Sequence, residues 1–319
     1  MKKVFMLIVL ASLLVVKVQA KVLRVNNTPG SSAPYATLES AYDASVSGDT
    51  IYLEGSEIVY SPVAIRKKLA IIGPGYLHEE NGVTNFGTAE AIVGGSPVGY
   101  KWDIMSDGVV LKGISMNTSL GVLNIKSNNV VVNRCYLGSV KFGAIAGAII
   151  HQNYLFGAVS GDYKQYSSNT YNVQITNNII GNGIGTLCNS TIDHNTIYNN
   201  SSYVMTALYS CTVTNNIYKG FSRDDNVDAS VFNHNYSGEK YSQYFADMSM
   251  REDNDFVLLE DSPLMTMGSD GGQVGAFGGS DPYVLSGIPN IPVIRSLIVP
   301  SSANKHEGLN VRVKITTER

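Results

Sequence analysis

The chain has 319 residues, 26 acidic and 23 basic side chains and a formal charge of −3. That balance argues against a nucleic-acid partner, which would need clustered Lys and Arg to neutralise phosphates. Three cysteines, at 135, 188 and 211, make an odd number, and no spacing among them suggests a zinc site.

Residues 1–20 read as an export signal. Lys2 and Lys3 precede an apolar run from Val4 to Val16, and Val18-Gln19-Ala20 is a small-residue cleavage site. The run is short for a membrane span, so the mature chain is expected to lack a transmembrane segment and to be secreted, periplasmic or at the cell surface. Cleavage near Ala20 removes Lys2, Lys3 and Lys17 and takes the formal charge from −3 to −6. An exported chain permits a Cys188–Cys211 disulfide, although three small buried thiols are the favoured reading.

Val22–Val25 then reads as a strand, and Thr37 as the cap of a short helix in which Leu38, Ala41 and Tyr42 share a face. Next come Gly48-Asp49-Thr50-Ile51-Tyr52-Leu53-Glu54-Gly55 and Lys67-Lys68-Leu69-Ala70-Ile71-Ile72-Gly73-Pro74-Gly75. With the helix before them, these two strands resemble the opening of the pectate-lyase-like right-handed β-helix superfamily. The resemblance spans roughly residues 22–240. It implies an all-β, right-handed, single-stranded parallel β-helix with an N-terminal helical cap. The superfamily holds lyases, hydrolases, adhesins and tailspikes, so the fold does not by itself select an activity.

The middle of the chain supports a solenoid independently. Six blocks end on Asn or Cys after an apolar residue and two others: Val132 to Cys135, Ile150 to Asn153, Ile175 to Asn178, Ile192 to Asn195, Val213 to Asn216 and Phe232 to Asn235. Their last positions recur every 18, 25, 17, 21 and 19 residues, a solenoid period. The Asn-, Thr-, Val- and Ile-rich repeats disfavour helical hairpins. Each coil should hold three short strands and three bends, about ten coils in all at the usual strand spacing. The asparagines should form a hydrogen-bonded ladder with Cys135 at its end.

The β-helix is taken as 21–254, followed by a Gly- and Pro-rich closing segment, 255–299. That segment is similar to those of uncharacterised secreted β-helix proteins of Bacteroidetes-type bacteria, and is expected to wrap the last coil. Pro300 to Asn304 is a linker within 300–319. Leu309, Val311, Val313 and Ile315 alternate as a terminal strand, expected to dock on the helix side or on a cell-surface partner by strand addition.

For chemistry, Ile192-Asp193-His194 is similar to part of a pectate lyase motif. However, Thr191 stands where that family has Trp and its Arg-x-Pro-x-x-Arg stretch is absent, so Asp193 and His194 read as ladder neighbours. The polygalacturonase set is absent apart from the pair Asp224-Asp225. Two longer inserts carry charge: Asp162, Tyr163, Lys164 and Tyr166 in one, Arg223, Asp224, Asp225 and Asp228 in the other. They are expected to leave the same bend and to wall a trough. The leading reading is a protein that binds, and could cleave, a polysaccharide there; the alternative is a non-catalytic structural or adhesive rod. A lyase would use Lys164 or Arg223 as its base, with calcium on Asp224, Asp225 and Asp228. A hydrolase would need paired carboxylates from Asp162, Asp224 and Asp225. Asp162, Tyr163, Tyr166 and Tyr209 would contact the sugar.

Overall fold

The computed structural model describes residues 20–81, 89–95, 100–116, 121–164, 167–198, 204–219, 230–238, 241–247, 252–288, 293–299, 309 and 311–316. The expected insert residues Tyr166, Arg223, Asp224, Asp225 and Asp228 lie outside these, as does the apolar run of residues 4–16. Among the described residues no helix is long and apolar enough to cross a membrane.

The chain coils into a right-handed parallel β-helix of about 7 turns. Its longest sheet stacks ten strands: Val22–Val25, Thr50–Leu53, Ala70–Ile72, Val110–Lys112, Val131–Asn133, Ile149–His151, Gln174–Thr176, Thr191–Asp193, Thr212–Thr214 and Val231–Asn233. An eight-stranded sheet and a six-stranded sheet complete the coils. The first coils are irregular: Tyr60 and Ile65 join the two shorter sheets through single bridges to Val93 and Ile104. The ten rungs of the long sheet therefore do not make ten complete coils, which corrects the count expected from sequence.

Alternation in each strand decides what faces in. The middle residues of the ten-stranded sheet form one inward file, with Ile51, Ile71, Leu111, Val132, Ile150, Ile175, Ile192 and Val213 all buried. A single coil could not bury this file; stacking makes it a continuous core. At the start, the Thr37 side chain accepts from the Ser40 N–H, and Leu38 and Ala41 of the helix Leu38–Ala44 are buried, as expected for a cap.

The Asn ladder is present. The Oδ1 atoms of Asn178, Asn195, Asn216 and Asn235 each accept from the side-chain amide of the preceding asparagine, always at 2.9 Å. The same oxygens accept backbone N–H groups of that neighbour. Cys135 ends the stack, its N–H donating to Asn153 Oδ1 at 2.9 Å. Each ladder residue follows a left-handed one, with φ between 51° and 56° at Arg134, Gln152, Asn177, His194, Asn215 and His234. Non-glycine residues disfavour that conformation; the buried amide bonds offset it. All three cysteines are free thiols, Cys135 and Cys211 buried and Cys188 partly so.

The closing segment departs from expectation. It does not wrap the last coil but lies along the flank of the solenoid as a strap, Asp253 to Ile288, which starts beside an early coil, reaches Asn215 at Ser269 and from there runs back to Arg134 at Ile288. Its anchors are the left-handed corner residues. Asn215 Nδ2 donates to Ser269 Oγ, Asn177 Nδ2 to the Ala276 and Gly278 carbonyls, Gln152 Nε2 to Asp281 Oδ1 and Arg134 Nη1 to the Ile288 carbonyl. The strap also seals the outward side of the eight-stranded sheet. Tyr154, Ile179 and Ile217 are buried there against Phe256, Leu258, Leu264, Val274 and Tyr283. The physical reason is that this outward file is apolar and needs a cover as much as the core does.

A polar knot fixes the strap to an early coil. Asp253, fully buried, accepts from Asn81 Nδ2 (2.7 Å), the Ser286 N–H (2.8 Å) and Tyr283 Oη (3.0 Å), and Tyr283 meets Tyr76 at 2.5 Å. Burial, opposed by those hydrogen bonds, raises the Asp253 pKa above the ordinary 3.8. The folded state therefore favours the protonated acid. Its contribution to stability is full below pH 3.8 and is lost as pH rises through the raised value. Asp253→Asn stays neutral, so its stability relative to the parent chain is expected to increase between pH 4 and 7 in urea titrations; a difference independent of pH would refute this.

The terminal strand Arg312–Thr316 pairs antiparallel with Val293–Ile298, with a register shift between Ile294 and Ser296. The sequence reading missed that partner strand. The hairpin joins none of the three solenoid sheets.

Candidate functional site

With one flank sealed, the outward face of the ten-stranded sheet carries an ordered polar surface. The last residue of successive strands forms a file in register: Lys112, Asn133, His151, Thr176, Asp193, Thr214 and Asn233. These positions face out because the residue before each one faces the core. Strand stacking sets them about 4.8 Å apart along the axis.

At the early end of this file lies a groove of about 300 Å³, lined by Val110, Lys112, Val131, Asn133, Arg134, Ile149, His151, Gln152 and Asp281. Val110, Val131 and Ile149 are its floor, and the strap supplies Asp281 as its wall. His151 Nε2 is 3.0 Å from Asp281 Oδ2, and its Nδ1 is 2.7 Å from Thr176 Oγ1. Nε2 thus faces the Asp281 carboxylate, while Nδ1 also lies 3.1 Å from the Thr176 carbonyl oxygen. Asn133 Nδ2 donates to the His151 carbonyl and Gln152 Oε1; Arg134 Nε also donates to that oxygen at 2.8 Å.

Lys112 differs from its neighbours. It is half-buried, and among the described residues its ammonium group has neither hydrogen bond nor ion pair. Burial first, and Arg134 second, lower the pKa of its ammonium group; Asp281 acts in the opposite direction. The groove thus presents a cation whose solvation is incomplete and whose charge is only partly balanced.

Farther along, Asp193 Oδ1 accepts from Thr214 Oγ1 (2.6 Å) and Asn215 Nδ2 (2.8 Å), while Oδ2 lies 2.8 Å from His194 Nδ1. Burial of Asp193 works against ionisation, but these hydrogen bonds from His194, Thr214 and Asn215 prevail and lower its pKa. His194 is buried against Gly278 and Gly279 of the strap. The pair therefore holds corner and strap together, in keeping with its reading as ladder neighbours.

Of the site residues expected from sequence, the structure places Asp162, Tyr163, Lys164 and Tyr209 on one flank, the bend from the six-stranded to the ten-stranded sheet. Tyr163–Lys164 pairs antiparallel with Ser167–Ser168. Tyr163 and Lys164 are exposed, whereas the Asp162 carboxylate is occupied by Asn169 Nδ2 at 3.1 Å. Tyr209 ends the strand Met205–Tyr209 and is half-buried. This flank precedes the strands of the ten-stranded sheet, whereas Lys112, Asn133 and His151 of the groove end them. The hairpin lies between a strand of the six-stranded sheet and Gln174–Thr176 of the ten-stranded sheet; the other expected wall, Arg223 to Asp228, lies outside the described residues. Among the described residues no group of three or more His, Cys, Asp or Glu could hold a metal ion.

Sequence reasoning missed Lys112, His151, Gln152 and Asp281. Aligning the repeats on the ladder and reading two positions upstream would have exposed Asn133, His151, Thr176 and Asp193 as one file. Asp281 had no such signal, because its place depends on the strap doubling back. No protein-family model matches the chain, and no curated protein matches it.

Proposed function

We propose that this is an exported protein that binds a polysaccharide along the outward face of its ten-stranded sheet, with the groove at Lys112 as the principal subsite. The observation that carries the reading is the in-register polar file ending in that groove. A surface repeating along an axis suits a ligand that also repeats, and the strap gives it a wall. The β-helix fold is compatible with this reading. Cleavage is a separate question, attached to Lys164, Arg223 and Asp225. It is tested by incubation with acidic and neutral polysaccharides, with and without calcium, scored for unsaturated and reducing ends.

The binding test is affinity electrophoresis of the mature chain through gels containing a panel of acidic and neutral polysaccharides. Retardation by at least one is expected. Val131→Trp, which fills the groove floor whatever the ligand charge, should abolish it while leaving the unfolding midpoint within a few degrees. Retardation untouched by Val131→Trp but lost in Lys164→Ala would move the site to the flank that carries Lys164. An adhesive rod is the second reading, favoured by the hairpin 293–316, which pairs with itself and could serve for attachment.

A further inference from the structure

The groove already holds one carboxylate, and that carboxylate belongs to the protein. Asp281 Oδ2 faces His151 Nε2 at 3.0 Å, and its Oδ1 accepts from Gln152 Nε2 at 2.9 Å. Lys112 and Arg134 line the same space, and Asp281 is the only acid among the lining residues. Arg134 is almost fully buried and directed to Gln152 Oε1 and the Ile288 carbonyl. Two cations therefore line the groove with one carboxylate, and the Lys112 ammonium is the one with no hydrogen bond or ion pair among the described residues. Asp281 is not locked in: its side chain is 71% exposed.

We propose that the groove is a carboxylate subsite for a uronic-acid unit of the glycan, and that Asp281 is a tethered carboxylate that competes for it. This rests on the glycan-binding reading above and adds the ligand's charge and a residue that sets affinity. Lys112 supplies the point charge. Gln152 and His151, which now hold Asp281, supply hydrogen bonds that an incoming carboxylate takes over as the strap side chain swings to solvent. The affinity measured is that of the ligand less the cost of displacing Asp281. A neutral sugar gains nothing from Lys112 and does not repay that displacement.

The test is calorimetric titration at low salt, where screening is weak. The probes are hexamers of galacturonate, of guluronate and of neutral galactose, against the mature chain and three variants. At least one uronate hexamer should bind the parent chain, and the neutral hexamer at least tenfold more weakly. Lys112→Gln should weaken uronate binding about tenfold, the loss of one charge-assisted contact, and Lys112→Arg should restore most of it. Asp281→Asn, which keeps size but removes the competing charge, should tighten uronate binding several-fold and the neutral hexamer by less. Fluorescence melting of the single tryptophan, Trp102, confirms that each variant is folded. Equal binding of uronate and neutral hexamers, unaffected by either substitution, overturns the carboxylate subsite and leaves glycan binding standing. No binding of any hexamer by the parent chain or by Asp281→Asn overturns both.

Discussion

A chain ending at Glu252 is expected to lose its cooperative unfolding transition, whereas one ending at Ile288 should keep it. The difference between them is the strap. Without it the outward file of Tyr154, Ile179 and Ile217, each at most 1% exposed, faces water. So do the anchors at Gln152, Asn177 and Asn215, whose strap partners disappear. Phe256, Leu258, Leu264, Val274 and Tyr283 are the apolar groups lost. At about 1.5–3 kcal/mol for each large buried side chain, their removal amounts to on the order of 10 kcal/mol. That is comparable with the whole stability of an ordinary domain, roughly 5–15 kcal/mol. The shorter chain should bind a hydrophobic dye and aggregate. The longer one lacks only the carboxyl-terminal hairpin, which joins no solenoid sheet, and should melt like the full chain. Matching melting curves for the two truncations would show that the eight-stranded sheet needs no cover.

Asn195→Ala is expected to cost about 3 kcal/mol, the next largest effect. The Asn195 side chain accepts from the Asn178 N–H (3.0 Å) and Asn178 Nδ2 (2.9 Å). It donates to the carbonyls of Ile175 (2.8 Å) and Asp193 (3.1 Å) and to Asn216 Oδ1 (2.9 Å). Alanine leaves the buried Asn178 N–H and the Ile175 carbonyl short of partners, at about 1–3 kcal/mol for each unsatisfied group. For a chain of this size that is a fall of roughly 5–10 °C in the melting temperature. Glycan binding by the folded fraction should persist, because the ladder lies inside the corner and the polar file outside it. Asn235→Ala, at the half-exposed end of the ladder, should cost less. Equal effects at both positions would mean that burial does not set the strength of the ladder.

The solenoid was legible because its signals are local and repeated. The six blocks ending on Asn or Cys fixed the register, the inward file and the ladder, and each is visible within a few residues of sequence. The closing strap was not legible. Its Gly and Pro content announces irregular chain, but its course depends on hydrogen bonds between corner residues and partners roughly a hundred positions away, such as Asn177 with Ala276 and Gly278. The Lys112 groove was hidden for the same reason. Insert length and charge drew the reading toward Asp162, Tyr163 and Lys164, where a hairpin satisfies much of its own polarity. The groove instead combines a strand residue, Lys112, with a strap residue, Asp281, and no pattern in the sequence links them. The partner strand Val293–Ile298 escaped notice because a Pro-rich stretch surrounds it.

The most direct test of the proposed binding face is a hydrogen-exchange footprint of the mature chain with and without a saturating polysaccharide selected from the electrophoretic panel. Slowed exchange is expected in peptides covering residues 110–113, 131–135, 149–153 and 281–283, with the hairpin at 161–170 unchanged. Protection confined to 161–170 and the six-stranded sheet, with the Lys112 groove exchanging as before, would contradict the account.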